Sequence, residues 1–287
     1  MATKRRPRRK TSAPRTRIRL TGWMLALCVI AFVAYLVSTA RHPAPRPADT
    51  TPAEALEQVN TPASLPQKMI RYRGFTVNFN PETHQPNYVV WELLADEATG
   101  SEPRNDQFAN DPDIAASAWP QDYRYTGYDR GHMAPAGDMK WDAEAMRQSF
   151  LMTNICPQAS ELNRGAWKKL EEKCRLKAQA DSALIIVCGP VFDNPDRPSM
   201  RLGNTGVAVP DRFFKVVLSP YTDPPQAIGF IMPNGPVPGG MQAAAVSVDS
   251  VETLTGYNFF SALPDDIEHP LESRCDFNRW SHLRRRH

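Results

Sequence analysis

The densest group of polar side chains in the sequence surrounds His132, which directly follows Asp129, Arg130 and Gly131. An imidazole with an ordinary pKa of about 6.5 is largely neutral just above neutral pH, so it can take a proton from water. Asn163 lies further along the chain and offers an amide carbonyl oxygen, a hard ligand that Mg²⁺ accepts. A proton acceptor beside a ligand for a cation is suited to the hydrolysis of a phosphodiester bond.

Two charged residues follow Asn163 on one predicted helix. Glu171 lies eight residues further on, which at about 100° and about 1.5 Å per residue places the two about 80° apart and about 12 Å along the axis. Arg175 follows Glu171 at the i+4 position. The two side chains can therefore form an exposed ion pair that contributes only a few tenths of a kcal/mol, or both can belong to the site.

The residues around His132 resemble the sugar-nonspecific DNA/RNA endonuclease family of the ββα-metal type, which includes endonuclease G. The family motif Asp-Arg-Gly-His-x-Ala-Pro occurs as residues 129–135. A second block follows in the family's order: Asn154, Pro157, Gln158, Asn163, Gly165, Trp167 and Glu171. The resemblance is collinear over most of residues 70–270, including Val209-Pro210 before Phe213-Phe214-Lys215.

The resemblance implies an α+β fold of the ββα-metal nuclease type and an Mg²⁺-dependent endonuclease that cuts DNA and RNA without sequence specificity. It implies that His132 is the general base that activates water. Asn163 is then the one protein residue that binds the metal directly, with Mn²⁺ as a substitute for Mg²⁺, and Glu171 holds a water of the hydrated ion. Homodimers are common in the family, so a homodimer is a further expectation.

Three arginines are candidates for contact with phosphate. Arg104 corresponds to the family's phosphate-stabilising arginine, and the resemblance places Arg175 near the phosphate. Arg130 lies inside the motif, where its guanidinium could bind phosphate bidentately or be held by Asp129. Asp129 itself is interpreted as a structural residue rather than a metal ligand.

Two other functions remain open from the sequence. The domain could bind nucleic acid or a partner without catalysing a reaction. A catalytically silent domain could lose His132 or Asn163, so the presence of both in this chain weighs against that alternative. It could also be another envelope phosphodiesterase that acts on lipid or nucleotide substrates.

The elements that must position these side chains are visible in the hydrophobic pattern. Residues 70–79 and 88–94 predict a hairpin-like pair of strands, and apolar runs of strand length follow at 184–188, 213–218 and 227–232. Strands and helices alternate irregularly, which predicts an α+β class with a mixed or antiparallel central sheet.

Three helices are also predicted. Residues 142–150 form a short helix opened by an aspartate cap, and residues 161–180 have the strongest helical spacing. Asp249 and Glu252, three residues apart, resemble a capping box for a short helix that ends near Gly256.

The N-terminal segments predict a membrane anchor. Residues 20–40 are uncharged and apolar, and 21 residues can cross the roughly 30 Å hydrocarbon core of a bilayer. The basic tail over 1–19 predicts a cytoplasmic N-terminus, so the nuclease domain over 67–287 would lie outside the cytoplasm as part of a single-pass membrane protein. Six prolines in 41–66 predict an extended stalk. A cleaved signal peptide and a mitochondrial presequence, with the protein at the mitochondrial inner membrane, are the alternatives.

The formal charge of +3 is the sum of two unlike parts. Residues 1–40 hold nine basic and no acidic side chains, which leaves 25 basic and 31 acidic side chains in 41–287. The composition excludes a disordered chain and a multi-span membrane protein. Because the domain itself carries about six net negative charges, nucleic acid must be bound by a local group of arginines rather than by bulk positive charge.

The cysteines allow two interpretations. Four of them follow the apolar segment: Cys156, Cys174, Cys188 and Cys275. Outside the cytoplasm they could pair in three ways, and buried free thiols are the alternative.

Overall fold

The computed structural model describes residues 53–194 and 198–283. The predicted basic tail over 1–19, the predicted transmembrane segment over 20–40 and the first part of the predicted stalk lie outside the described residues.

The predicted fold class requires a correction, because it paired the domain with one transmembrane helix. No helix within residues 53–194 and 198–283 is both long enough and apolar enough to cross a membrane. The corrected fold class is an α+β domain without a membrane-spanning helix in that part of the chain.

Eleven strands are present in the described residues. In chain order they are β1 (Lys68–Arg71), β2 (Thr76–Asn80), β3 (Gln85–Leu94), β4 (Tyr128–His132), β5 (Ile155–Ala159), β6 (Ala183–Val191), β7 (Arg201–Leu202), β8 (Val207–Ala208), β9 (Arg212–Ser219), β10 (Gln226–Pro233) and β11 (Ala245–Val246). The main sheet has the order β1-β2-β3-β6-β9-β10-β11, and its neighbours are antiparallel. Separate antiparallel pairs are formed by β4 with β5 and by β7 with β8.

The helices lie mostly between these strands or after them. They are α1 (Ala53–Leu56), α2 (Ala143–Ser149), α3 (Lys168–Asp181), α4 (Gly240–Ala243), α5 (Val248–Thr255), α6 (Asp265–Glu272) and α7 (Phe277–Ser281). A π-helical segment, Leu162–Trp167, leads directly into α3. The α+β class and the antiparallel sheet agree with the sequence prediction.

Most predicted elements are found, with three differences in detail. Residues 70–79 do not form one strand, because the chain turns at Arg73-Gly74 and β1 pairs back onto β2. The helix predicted over 161–180 is interrupted at Gly165, whose φ of −104° and ψ of −112° are not helical. The predicted Asp249–Glu252 capping box is wrong: Ser247 is the N-cap of α5, and its side chain accepts from the N–H of Ser250. The end of α5 is as predicted, because Gly256 adopts a left-handed φ of 73°.

The central strand β6 divides the interior into two cores. All nine of its residues are buried, as expected for a strand covered on both faces. Leu184 and Ile186 face the core that α3 covers, whereas Ile185 and Val187 face the core that α5 covers. The first of these faces carries the candidate active site.

Part of the predicted stalk packs onto the domain. Leu56 of α1 is 1% exposed and belongs to the core beneath α5. Asn60 and Asn258 exchange two backbone hydrogen bonds of 2.9 Å. The folded part of the chain therefore begins before residue 67.

The four cysteines after the apolar segment are free. Cys156, Cys174 and Cys188 are buried, whereas Cys275 is exposed. Of the two interpretations, the structure has the free thiols.

Candidate active site

The predicted site residues are carried by two paired strands and the helix that follows them. In the β4–β5 pair, His132 lies opposite Ile155 and Asp129 lies opposite Gln158. The chain then passes through the kinked segment containing Asn163 and enters α3, which carries Glu171. The order strand, strand, helix is the ββα arrangement that the sequence predicts.

His132 is held at the end of β4 by aromatic packing. It is 9% exposed, and its ring lies 5.3 Å from the ring of Phe108 and 4.8 Å from the ring of Phe150. Its Nε2 atom is buried and has no hydrogen-bond partner among the described residues. Burial, assisted by the positive charge of Arg104, lowers the pKa of His132 to about 3. The imidazole is therefore neutral in the physiological range, and no described residue competes for its Nε2 atom.

The loop after His132 is locked by Asn154 of the second block. Its side chain accepts a hydrogen bond of 2.9 Å from the N–H of Ala134 and donates bonds of 2.9 and 2.8 Å to the carbonyl oxygens of Ala134 and Ser149. Asn154 is fully buried, so these bonds satisfy an amide that water cannot reach. It acts as a scaffold residue for the strand end that carries His132.

Asn163 is oriented by Asp129. The Nδ2 of Asn163 donates to Oδ2 of Asp129 at 3.0 Å, and Arg164 donates to both carboxylate oxygens at 2.9 Å. Burial alone would raise the pKa of Asp129, but the hydrogen bonds from Arg164 and Asn163 outweigh it and lower the pKa. The interpretation of Asp129 as a structural residue fits this placement, because its carboxylate turns the amide so that the carbonyl oxygen of Asn163 is left for a ligand.

Two of the three candidate arginines are brought to His132 by the same phenylalanines. The guanidinium carbon of Arg104 lies 5.0 Å from the ring of Phe150, and that of Arg130 lies 5.0 Å from the ring of Phe108. The Nε of Arg130 is buried and has no hydrogen-bond partner among the described residues. Cation–π contacts thus place both guanidinium groups over the phenylalanine rings, and Arg104 also forms an ion pair with Asp106 through its Nε.

Of the two alternatives for Arg175, the exposed ion pair with Glu171 is not the one in the structure. Its Nη1 lies 2.8 Å from Oδ1 of Asp138, which is 1% exposed. The role of Arg175 near the phosphate stays a prediction. The guanidinium also packs against Gly137, where an added Cβ would lie 2.7 Å from Nη1. Asp138 in turn accepts from Nε1 of Trp91 at 3.2 Å. Arg175 is therefore anchored to the core rather than exposed on the helix surface.

A buried lysine lies beneath the site. Lys215 of β9 is 1% exposed, and its Nζ lies 4.4 Å from the ring of Trp167 and 5.2 Å from the ring of Trp91. Burial would lower the pKa of Lys215, but Cys188, Glu171 and other acidic groups outweigh burial and raise it. Burial raises the pKa of Glu171 to about 7, and Lys215 opposes that shift most strongly. Lys215 therefore favours the charged form of Glu171.

Sequence reasoning missed the roles of Phe108, Asp138 and Lys215. The signal for Lys215 was present, because one lysine inside the apolar run 213–218 has to be buried with partners if the run is a central strand. Phe108 and Asp138 lie in irregular segments, where no periodicity marks a side chain as facing inward. Arg71 lies apart from these residues and lines a separate hollow with Glu54 and Glu57.

Replacing Lys215 with methionine is expected to lower the free energy of unfolding by about 3 kcal/mol, because the buried acidic groups lose their nearest internal cation. Denaturant unfolding of the full chain measures this change. Lys169→Met, a surface substitution on helix α3, is the control and is expected to change stability by less than about 0.5 kcal/mol. Equal stabilities of Lys215→Met and wild type would contradict a charge-pairing role for Lys215.

The donor set of this site fits a hard divalent cation. The carbonyl oxygen of Asn163 and the carboxylate of Glu171 are oxygen ligands of the type that Mg²⁺ and Mn²⁺ accept. The orphaned Nε2 of His132 provides a proton acceptor in the same ββα unit. Phosphate oxygens would be neutralised there by Arg104 and Arg130.

Comparisons with known proteins agree with this site. The sequence profile described as DNA/RNA non-specific endonuclease matches residues 52–266. Nuclease EXOG, mitochondrial, of Xenopus laevis is 32% identical over 266 residues, which cover 88% of this chain and 73% of that protein. A nuclease of Nostoc sp. is 33% identical over 216 residues, which cover 70% of this chain and 76% of that protein.

A solved structure supports the fold. The crystal structure of an EndoG/EndoGI complex superposes with a TM-score of 0.64 at 25% sequence identity, covering 68% of this chain and 86% of that chain. Because the family profile spans most of the chain and relatives above 30% identity align over more than two thirds of their own length, this chain belongs to the DNA/RNA non-specific endonuclease family.

Proposed function

We propose that this chain hydrolyses phosphodiester bonds of DNA and RNA with His132 as the general base and a divalent cation held by Asn163. The observation that carries the proposal is the buried, neutral imidazole whose Nε2 has no partner among the described residues, in the same ββα unit as an asparagine oriented by Asp129. Family membership supplies the class of reaction.

The side chains of the site divide the work of hydrolysis. The Nε2 of His132 takes a proton from the attacking water as the water oxygen bonds to phosphorus. The bond from phosphorus to the leaving 3′ oxygen then breaks, which leaves a 5′-phosphate and a 3′-hydroxyl after protonation. Arg104 and Arg130 neutralise the non-bridging oxygens, on which negative charge increases in the transition state.

The cation and the remaining charged residues complete the proposal. When bound, Mg²⁺ would supply positive charge to the phosphate and to the leaving oxygen, and Mn²⁺ would be able to replace it. Asn163 would hold the ion, and Glu171 would accept hydrogen bonds from the water around it. Arg175 is proposed to act near the phosphate from a position fixed by Asp138. Lys215, which lies beneath the site, opposes the rise in the pKa of Glu171 that burial causes and so favours its charged form.

The relatives also bear on location and partners. Those of Xenopus laevis, Schizosaccharomyces pombe and Saccharomyces cerevisiae are named as mitochondrial. Of the compartments expected from the sequence, the mitochondrion is therefore the one that these names favour. DNA and RNA are the proposed substrates, and a homodimer stays a prediction.

The proposal is tested by incubating the full chain with supercoiled plasmid and with RNA in MgCl₂, in MnCl₂ and in EDTA. Both polymers are expected to be cut in either metal and to stay intact in EDTA. Because the substrate is held through contacts between the site arginines and its phosphates, cleavage is expected to weaken as salt is raised.

Three results would count against the proposal. If neither polymer is cut, the domain is a silent binding module. If a small phosphodiester such as bis-(p-nitrophenyl) phosphate is hydrolysed while both polymers stay intact, the chain is another kind of phosphodiesterase. Unchanged cleavage in EDTA would exclude the role given to the cation.

A further inference from the structure

Three acidic side chains converge on the face of the domain opposite the active site. Asp249 and Glu252 lie on α5, and Glu272 is the last residue of α6. One carboxylate oxygen from each of the three lies within 4.8 Å of the other two. Both helices pack against β10 on the side of the sheet that faces away from α3. The cluster is therefore separate from the residues that act on nucleic acid.

Glu272 is buried in this cluster without the partners that a buried carboxylate needs. Its side chain is 4% exposed, and its Oε1 atom is buried with no hydrogen-bond partner among the described residues. Burial, together with the smaller effects of Glu252, Glu268 and Asp249, raises the pKa of Glu272 to about 9. A buried carboxylate is ordinarily paired with a cation or hydrogen-bonded, and here its described neighbours are acidic.

Helix capping does not account for the other two carboxylates. Ser247 caps α5 through the N–H of Ser250, so Asp249 is not needed as a cap. Glu252 accepts a 2.8 Å hydrogen bond from the N–H of Phe259 through Oε1, which fixes its side chain to the loop between the helices and leaves its second oxygen for another ligand.

We propose that Asp249, Glu252 and Glu272 bind a hard divalent cation, with a preference for Ca²⁺ over Mg²⁺. The bound cation would link α5 to α6. All three donors are carboxylate oxygens, which Ca²⁺ accepts in irregular arrangements completed by water. Ligands at about 2.3–2.6 Å from one ion can be about 5 Å apart, whereas the distance of about 2.1 Å for Mg²⁺ requires closer oxygens. The function of this site is to stabilise the fold rather than to take part in cleavage.

The proposal is tested by thermal unfolding of the full chain with and without CaCl₂, alongside equilibrium dialysis that counts bound Ca²⁺. Glu272→Gln keeps the shape of the buried side chain and removes its charge, and Asp249→Asn does the same at an exposed residue. Asp266→Asn, on α6 outside the cluster, is the matched control.

Ca²⁺ is expected to raise the melting temperature of wild type and of Asp266→Asn by about 5 °C more than that of Glu272→Gln or Asp249→Asn. Dialysis is expected to find one more Ca²⁺ per chain in wild type than in Glu272→Gln. Any Ca²⁺ bound at the active site would affect all four proteins equally, so the difference reports on the cluster alone. Equal shifts in melting temperature and equal numbers of bound Ca²⁺ in wild type and both cluster variants would overturn the proposal. Glu272 would then be buried in its protonated, neutral form rather than paired with a cation.

Discussion

Replacing His132 with alanine is expected to lower the kcat for plasmid cleavage by about 10² to 10⁴-fold, which is the usual contribution of a positioned general base. Each tenfold loss corresponds to about 1.4 kcal/mol in the barrier, so the expected penalty is about 3 to 5 kcal/mol. The loss follows from the geometry of the site, because the imidazole is neutral and its Nε2 has no competing partner among the described residues. Initial rates on supercoiled plasmid, at saturating substrate, measure the effect.

Two controls separate catalysis from folding in that experiment. His132 packs against Phe108 and Phe150, so His132→Ala also removes packing. His132→Gln fills more of that space, and an equal loss of rate in this variant would show that the missing imidazole, not the altered packing, is the cause. His269→Ala removes an exposed histidine on α6 and is expected to leave the rate unchanged. A folded His132→Ala or His132→Gln protein that cuts at the wild-type rate would exclude His132 as the base.

Replacing Asn163 with alanine is expected to lower the rate of cleavage at about 1 mM Mg²⁺ by roughly 10² to 10³-fold, because the site loses its direct oxygen ligand for the cation. The rate should recover in part as the MgCl₂ concentration is raised, since weaker binding is offset by mass action. The measurement is the dependence of initial rate on MgCl₂ concentration for wild type and variant.

The matched control for Asn163 is Asn278→Ala, which removes an exposed asparagine side chain on α7. Asn163→Asp is also informative, because a second carboxylate would stand next to Asp129 in place of the amide that donates to it. An Asn163→Ala protein with the wild-type rate and the wild-type Mg²⁺ dependence would show that the cation is held by other residues.

The regular elements of this fold could be predicted because their residues obey simple periods. The apolar runs that became β6, β9 and β10 are long, β-rich and bounded by turn residues. The predicted capping box was wrong because both Ser247 and Asp249 are acceptable N-cap residues at the start of α5. Ser247 is the cap in the structure, and Glu252 accepts a hydrogen bond from the N–H of Phe259 across a loop. Such a contact depends on the path of the chain after Gly256, which local spacing does not encode.

The candidate site divides in the same way. His132 and Asn163 could be found because they lie in contiguous motif blocks. The spacing allowed Arg175 either to form an exposed i+4 pair with Glu171 or to belong to the site. Its guanidinium binds the buried carboxylate of Asp138, which lies 37 residues earlier in the chain and which helical spacing cannot reveal. Lys215 comes to the site through the pairing of β6 with β9, a contact between strands far apart in the sequence.

The central claim is that one site, with one base, cleaves both DNA and RNA. The most direct test measures RNA as a competitive inhibitor of plasmid cleavage by the full chain in MgCl₂, with His132→Ala assayed on both polymers. If one site acts on both, the inhibition constant of RNA equals its KM as a substrate, and His132→Ala loses both activities by the same factor. Plasmid cleavage that saturating RNA leaves unchanged, or a His132→Ala protein that keeps one activity and loses the other, would contradict the claim.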